Sequence, residues 1–373
     1  MNRLPEKFDD LRPYYDSEIP AAMERIAASP VLGTVLEYLG RKDSLAAVQE
    51  HLRGIDSTDR LQKEIMYPVL KEIVSRTVSE YTYDGVENVV KGSGCLFVSN
   101  HRDIVMDAYL QQLALVMNGI ETSQITFGSN LMEPQFVVDA GMSNKMFKTV
   151  RKSDDYDAFM ESSIHLSEYI NHVVAHGESV WIAQRNGRTK DGLDRTEPGL
   201  IRMLLIGSDK SRALRTLNIT PVSVSYQWEP CDILKAVELY RSMDGKPYVK
   251  AKGEDLNSII TGITSDKGNV HVSICAPVNA DDYSEPLRRS DIAAVVHEMD
   301  SKIYRGYRLW DTNYAAYDIL NGSSRFEGLY TPALKEEFEA RMSSAISAYP
   351  GLNEKVLREI YLKIYAGPVS NCL

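Results

Sequence analysis

Residues 94–110 read GCLFVSNHRDIVMDAYL. A short apolar run ends at Ser99, a polar Asn-His-Arg turn follows, and a helix is expected over 105–118. The same unit recurs outward from this point. Further apolar runs stand at QITFGS (124–129), SVWIA (179–183), NITPVSVSY (218–226) and VHVSICAP (270–277), with helical stretches at 154–176, 198–207 and 231–243. Strand–helix alternation of this kind predicts an α/β fold with a central, mostly parallel sheet flanked by helices.

The ends of the chain have a different pattern. Residues 1–80 read as helical, and helices are again expected at 285–305, 310–321, 331–347 and 353–365. Between Ser57 and Val78, one face collects Leu61, Ile65, Met66, Val69, Leu70, Ile73 and Val74, with Ser57 or Thr58 as N-cap and a kink expected at Pro68. The expected organisation is an N-terminal helical segment (1–80), an α/β core (81–283) and a C-terminal helical segment (284–373). The two end segments form additional helical layers.

With 43% hydrophobic and 25% charged residues, a chain of 373 residues has the profile of a folded protein with a sizeable core. The net charge of −10 argues against nucleic acid as a partner. Basic residues nevertheless gather locally: 185–215 holds eight against four acids, and Lys145, Lys148, Arg151 and Lys152 form a second group. A basic pocket in an acidic protein suits a small phosphate-bearing ligand or an anionic lipid surface. The four cysteines, Cys95, Cys231, Cys275 and Cys372, have no C-x-x-C spacing and are expected to be reduced thiols of a cytosolic protein. The first residues are too polar for a signal peptide, and no apolar run approaches the ~20 residues needed to span a bilayer. Membrane contact, if made, is expected from the side, through the 57–78 helix or the basic patch.

In a parallel sheet the strand carboxyl ends face the ligand crevice, which puts His101 at its mouth. A histidine there accepts a hydroxyl proton at neutral pH when a carboxylate fixes its tautomer. Asp103 and Asp107 are the candidates. On one continuous helix His101 and Asp107 would point ~120° apart, so pairing them requires His101 in the turn and Asp107 reaching back from the helix. The alternative is that His101 and Asp103 only cap that helix. Downstream, SVWIAQRNGRTKDGLDRTEPGL (179–200) is a strand followed by a glycine-punctuated basic loop. Backbone N–H groups near Gly187 and Gly192, with Arg185, Arg188 and Lys190, can cradle a phosphate. The loop lacks the G-x-x-x-x-G-K-[ST] order of a nucleotide P-loop, and no G-x-S-x-G nucleophile elbow occurs anywhere.

Four blocks in order resemble the glycerol-3-phosphate and lysophosphatidate acyltransferases. NHRDIVMD resembles the family's His-x4-Asp block. Gly128 through FKTVRK, ending at Arg151, resembles the stretch leading to an acceptor-binding arginine. QRNGRTKDG resembles the E-G-x-R-S/T phosphate block, and ITPVSVSY, with Pro221, the proline-bearing strand. The resemblance covers roughly residues 90–230. It implies O-acyl transfer from acyl-CoA or acyl-carrier protein to a hydroxyl of glycerol 3-phosphate or lysophosphatidate, with no metal or other cofactor. It also implies His101 as general base with Asp107. Arg151, Arg185, Asn186, Gly187, Arg188 and Lys190 would bind the acceptor. The protein would then work at the cytoplasmic face of a membrane.

Two positions depart from the pattern. Five residues, not four, separate His101 from Asp107, and Asn186 stands where the family has glutamate. The second departure leaves room for a lyso-aminolipid or another hydroxylated lipid as acceptor, and the two together leave room for a non-catalytic lipid-binding relative. His165, His172 and His176 share one stripe of the 154–176 helix. They are expected on a solvated flank and not at a metal. Cys95, in mid-strand, is expected to be buried and inert.

Overall fold

The computed structural model describes residues 3–149, 155–206, 212–243, 248–284 and 287–373. Its sheet has seven strands: β1 (Glu80–Asp84), β2 (Leu96–Ser99), β3 (Gln124–Gly128), β4 (Met146–Thr149), β5 (Val180–Ala183), β6 (Ile219–Tyr226) and β7 (Asn269–Ile274). Their order is β1-β7-β6-β2-β5-β3-β4. Every pairing is parallel except β6–β7. Strands β6, β2, β5, β3 and β4 therefore run one way, and β7 and β1 run the other. The fold is α/β with a mostly parallel sheet.

Burial on both faces explains the apolar runs of β2 and β5, and in β6 it encloses Thr220, Ser223 and Ser225 as well. Leu96 and Val98 of β2 join Val180, Ile182, Tyr169, Val173 and Met299 on one face. Phe97 joins Trp181, Val224, Met106 and Leu110 on the other. Each such buried side chain contributes about 1.5–3 kcal/mol. Pro221 sits within a central strand without breaking it. Its carbonyl accepts the Cys275 N–H just past the last β6–β7 pair, Val222 with Ile274, so its missing donor falls where that ladder ends.

Helical layers cover both ends of the chain. Ile19, Met23, Ile26, Leu32, Leu36, Leu52 and Leu61 make one cluster with Phe136 and Ala140 packed against it. Trp228, Phe338, Met342, Leu357, Tyr361 and Tyr365 make another around the helix Glu354–Cys372. The apolar face expected between 57 and 78 is occupied by the protein itself. Ile65 and Met66 pack on the N-terminal cluster, and Leu70, Ile73 and Val74 pack on the sheet. Ser57 is the N-cap, and at the kink expected near Pro68 the helix is interrupted by a π turn over Gln62–Met66, with Pro68 in the first turn of the helix that follows.

Some elements are invisible to pattern reading. Strand β1 is polar, and β4 has two apolar residues in four, too few for a pattern. The helix Glu254–Thr264, EDLNSIITGIT, is rich in β-branched residues that favour strands in isolation. The expected helix positions 154, 207 and 285–286 lie outside the described residues. The histidine stripe is less solvated than expected, because the N-terminal segment lies over it. Phe8 packs against the rings of His165 and His172, and Asp10 bonds His165 at 3.0 Å. Among the described residues, no group of three or more metal-ligating side chains is gathered together.

Candidate active site

His101 follows β2 directly, in the turn before the helix Met106–Met117. Its Nδ1 lies 3.1 Å from Oδ2 of Asp107, and among the described residues no other side chain hydrogen-bonds the ring. Asp107 occupies the second position of the helix, so its carboxylate points back over the turn. There Oδ2 also accepts the backbone N–H groups of Arg102 (2.6 Å) and Asp103 (2.8 Å), and Oδ1 accepts the hydroxyl of Tyr226 (2.8 Å). Four donors thus surround a carboxylate that is completely buried. The helix N-terminus adds favourable partial charge. The five-residue separation is accommodated by the turn.

Asp103 has a different task. Its Oδ1 accepts the N–H groups of Val105 and Met106, which caps the helix. Its Oδ2 faces Gly262 of the Glu254–Thr264 helix, where a Cβ would come within 2.0 Å. Only glycine permits that approach.

A buried ionic network holds the surrounding loops. Arg102, with no exposed surface, donates to Asp194 Oδ2 from Nη2 (2.6 Å) and Nε (3.2 Å), and to the carbonyl of Gly192 (3.2 Å). Glu229, 3.5 Å from Arg102, accepts from Lys235 at 2.6 Å. Asn100 bridges Asp194 to the backbone of Val224. Burial alone would lower the Arg102 pKa, but Asp194, Tyr307 and Glu229 override it and hold the guanidinium well above its usual range. The network joins the ends of β2 and β6 to the loop after β5.

That loop carries the expected phosphate ligands. Thr189 donates its N–H to the carbonyl of His101 at 2.6 Å, and its hydroxyl to Asp194 at 2.9 Å. Arg188, next to it, is buried. Its Nη2 donates to Ser258 at 3.2 Å, and its Nη1 has no hydrogen-bond partner among the described residues. Arg185 is half-buried, and its Nε likewise has none among them. Lys190 is engaged by Glu238, and burial lowers its pKa, so it is less available as a free cation than the sequence suggested. Asn186 is exposed beside Gly187. Gly192 adopts a φ of +75° with its Cα against the C-terminal helix, where a Cβ would meet the Ile364 carbonyl at 2.5 Å. Arg151 lies outside the described residues.

Sequence reasoning missed Tyr226, Arg102, Asp194 and Glu229. Tyr226 ends β6, and strand ends beside a crevice are where site residues collect. The ionic network had no local signal, since its members lie 92 and 127 residues apart. Cys95 is buried, as expected, and burial pushes its thiol up to about 11. A cavity of about 400 Å³ lined by Arg3, Leu4, Pro5, His172, Val173, His176 and Glu178 lies towards the start of β5, at the opposite end of the sheet from His101.

No family model and no curated protein matches the chain. Among solved structures, the chain is similar to the crystal structure of the 1-acyl-sn-glycerophosphate (LPA) acyltransferase PlsC from Thermotoga maritima. The match has 13% sequence identity and a TM-score of 0.36, and covers 76% of this chain and 96% of that one.

Proposed function

We propose that the protein is an O-acyltransferase that moves a fatty acyl group from acyl-CoA or acyl-carrier protein to a hydroxyl of glycerol 3-phosphate or lysophosphatidate. The observation that carries this reading is the pairing of His101 Nδ1 with a buried, four-fold hydrogen-bonded Asp107, which leaves the opposite ring nitrogen free to act as a base. The basic loop tied to the His101 carbonyl supports it, as do the four sequence blocks in family order.

In this reading Arg188, Arg185 and Arg151 hold the acceptor's phosphate, with Lys190, Asn186 and Gly187 completing the loop. The acceptor hydroxyl gives its proton to Nε2 of His101 as its oxygen attacks the thioester carbonyl. The tetrahedral intermediate then collapses with cleavage of the C–S bond, and the imidazolium returns the proton to the departing thiolate. Asp107 keeps the ring oriented and stabilises its charge. Fixing two substrates in this geometry supplies a large part of the rate enhancement. The His101 chemistry itself requires no metal and no cofactor.

Peripheral contact at the cytoplasmic membrane face belongs to the same reading. Among the described residues no helix is long and apolar enough to cross a membrane. The apolar face of 57–78 is packed against the protein, so we assign the contact to the helix Glu254–Thr264. This helix exposes Leu256 and Ile260, while Ser258 on its inner side touches Arg188.

A thioester-release assay tests the reaction, with acyl-CoA and acyl-carrier-protein donors each paired with both acceptors, beside His101→Ala. Acceptor-dependent release that disappears in the variant is expected; release that persists in His101→Ala overturns the assignment. The neutral, exposed Asn186 favours one second reading, a lyso-aminolipid or other hydroxylated lipid as acceptor. Turnover only with phosphate-free acceptors would establish it. Lipid binding without turnover of any acceptor would indicate a non-catalytic relative.

A further inference from the structure

Three of the four donors to Asp107 come from its own turn: the two N–H groups of residues 102 and 103 and the His101 ring. All three meet Oδ2. The fourth, the Tyr226 hydroxyl, arrives from β6, 119 residues away, and is the only donor to Oδ1 among the described residues. Without it, Oδ1 would be a buried acceptor with no partner, and rotation of the carboxylate about its last bond would be opposed from one side only. Tyr226 is completely buried. Burial, then the charge of Asp107, raise its pKa well above the ordinary value, so its oxygen keeps the proton it donates.

We infer that Tyr226 is a positioning residue: by holding Oδ1 of Asp107 it keeps Oδ2 facing Nδ1 of His101, and so keeps the neutral ring in the tautomer that leaves Nε2 free. Tyr226 touches neither substrate, and it acts through the carboxylate alone. This rests on the reading of His101 as the base, but its test needs no substrate.

The test compares the full-length protein with Tyr226→Phe by imidazole ¹⁵N NMR at alkaline pH, where the ring is neutral. The His101 signals are identified by their loss in His101→Gln. Wild-type protein is expected to show one tautomer, protonated at Nδ1. Tyr226→Phe is expected to show a mixture, and Asp107→Asn serves as the control in which the tautomer changes. With an active substrate pair, kcat of Tyr226→Phe falls by about 10-fold with both KM values unchanged, the scale of one buried hydrogen bond. A wild-type tautomer ratio in folded Tyr226→Phe overturns the inference. If Tyr226→Phe does not fold, 3,5-difluorotyrosine at 226 takes its place. A stronger donor there should draw charge from Asp107 and move the His101 Nδ1–H resonance upfield, and an unmoved resonance overturns the inference. Absence of turnover with every substrate pair would remove the acyl-transfer reading and leave the tautomer result to decide the role of Tyr226.

Discussion

Thr189 donates its backbone N–H to the carbonyl oxygen of His101 at 2.6 Å. The bond locks the basic loop after β5 to the residue read as the base. The flanking residues Arg188 and Lys190 are therefore fixed relative to His101 by the main chain, and Arg102 and Asp194 brace the same junction from beneath.

That brace should dominate stability around the site. Arg102→Met or Asp194→Leu leaves a buried charge without its partner, at a cost of about 3–5 kcal/mol. Urea unfolding measures it. The double variant should recover part of the loss, and additive losses would count against a direct coupling.

The two acidic candidates separate by mutation. Asp107→Asn should lower kcat by about 10²–10⁴-fold while the fold persists. Asp103→Asn keeps an oxygen for the helix cap and should stay within about 10-fold of wild type. The reverse order would make Asp103 the partner of His101.

The loop cations should differ in importance. Arg188→Gln removes a buried guanidinium with an open Nη1. It should lower kcat/KM for a phosphate-bearing acceptor by about 10–100-fold, with the donor KM unchanged. Lys190→Gln, which breaks a pair with Glu238, should have a smaller effect on the acceptor. Steady-state kinetics in both substrates decides between them.

Lys267 makes stability depend on pH. Burial lowers its pKa to about 8, while Asp103 nearby limits the fall. The unfolded side chain titrates near ~10.4, so between these values the unfolded chain holds the extra proton and stability rises with pH. The thiols of Cys95, Cys231 and Cys275, pushed up to about 11, oppose this rise once pH exceeds their unfolded range. Urea midpoints at about pH 7.5 and about pH 9 should therefore show wild type gaining stability relative to Lys267→Met across this interval, whatever the net change set by the thiols. An equal change in both proteins would remove Lys267 as its source.

Membrane contact through the Glu254–Thr264 helix predicts that Leu256→Glu with Ile260→Glu lowers sedimentation with anionic vesicles. Release of a soluble, short-chain substrate should be unaffected. Unchanged sedimentation would move the contact elsewhere on the surface.

The layered α/β class is legible in the residues alone, because buried strands need apolar runs and the helices between them need a 3.6-residue period. The residues also determined that His101 and a nearby aspartate could pair, since the strand–turn–helix unit is local. Three things were left to tertiary structure. The choice of Asp107 over Asp103, which spacing left open, was completed by a tyrosine that β6 brings from 119 residues away. The availability of Arg188, and the reduced availability of Lys190, depended on whether a distant helix supplied a carboxylate. The loss of the 57–78 face as a membrane surface depended on what packed against it. Local pattern reports which residues prefer to be buried or paired. Only the assembled chain decides which partner reaches them, because those partners come from far along the sequence.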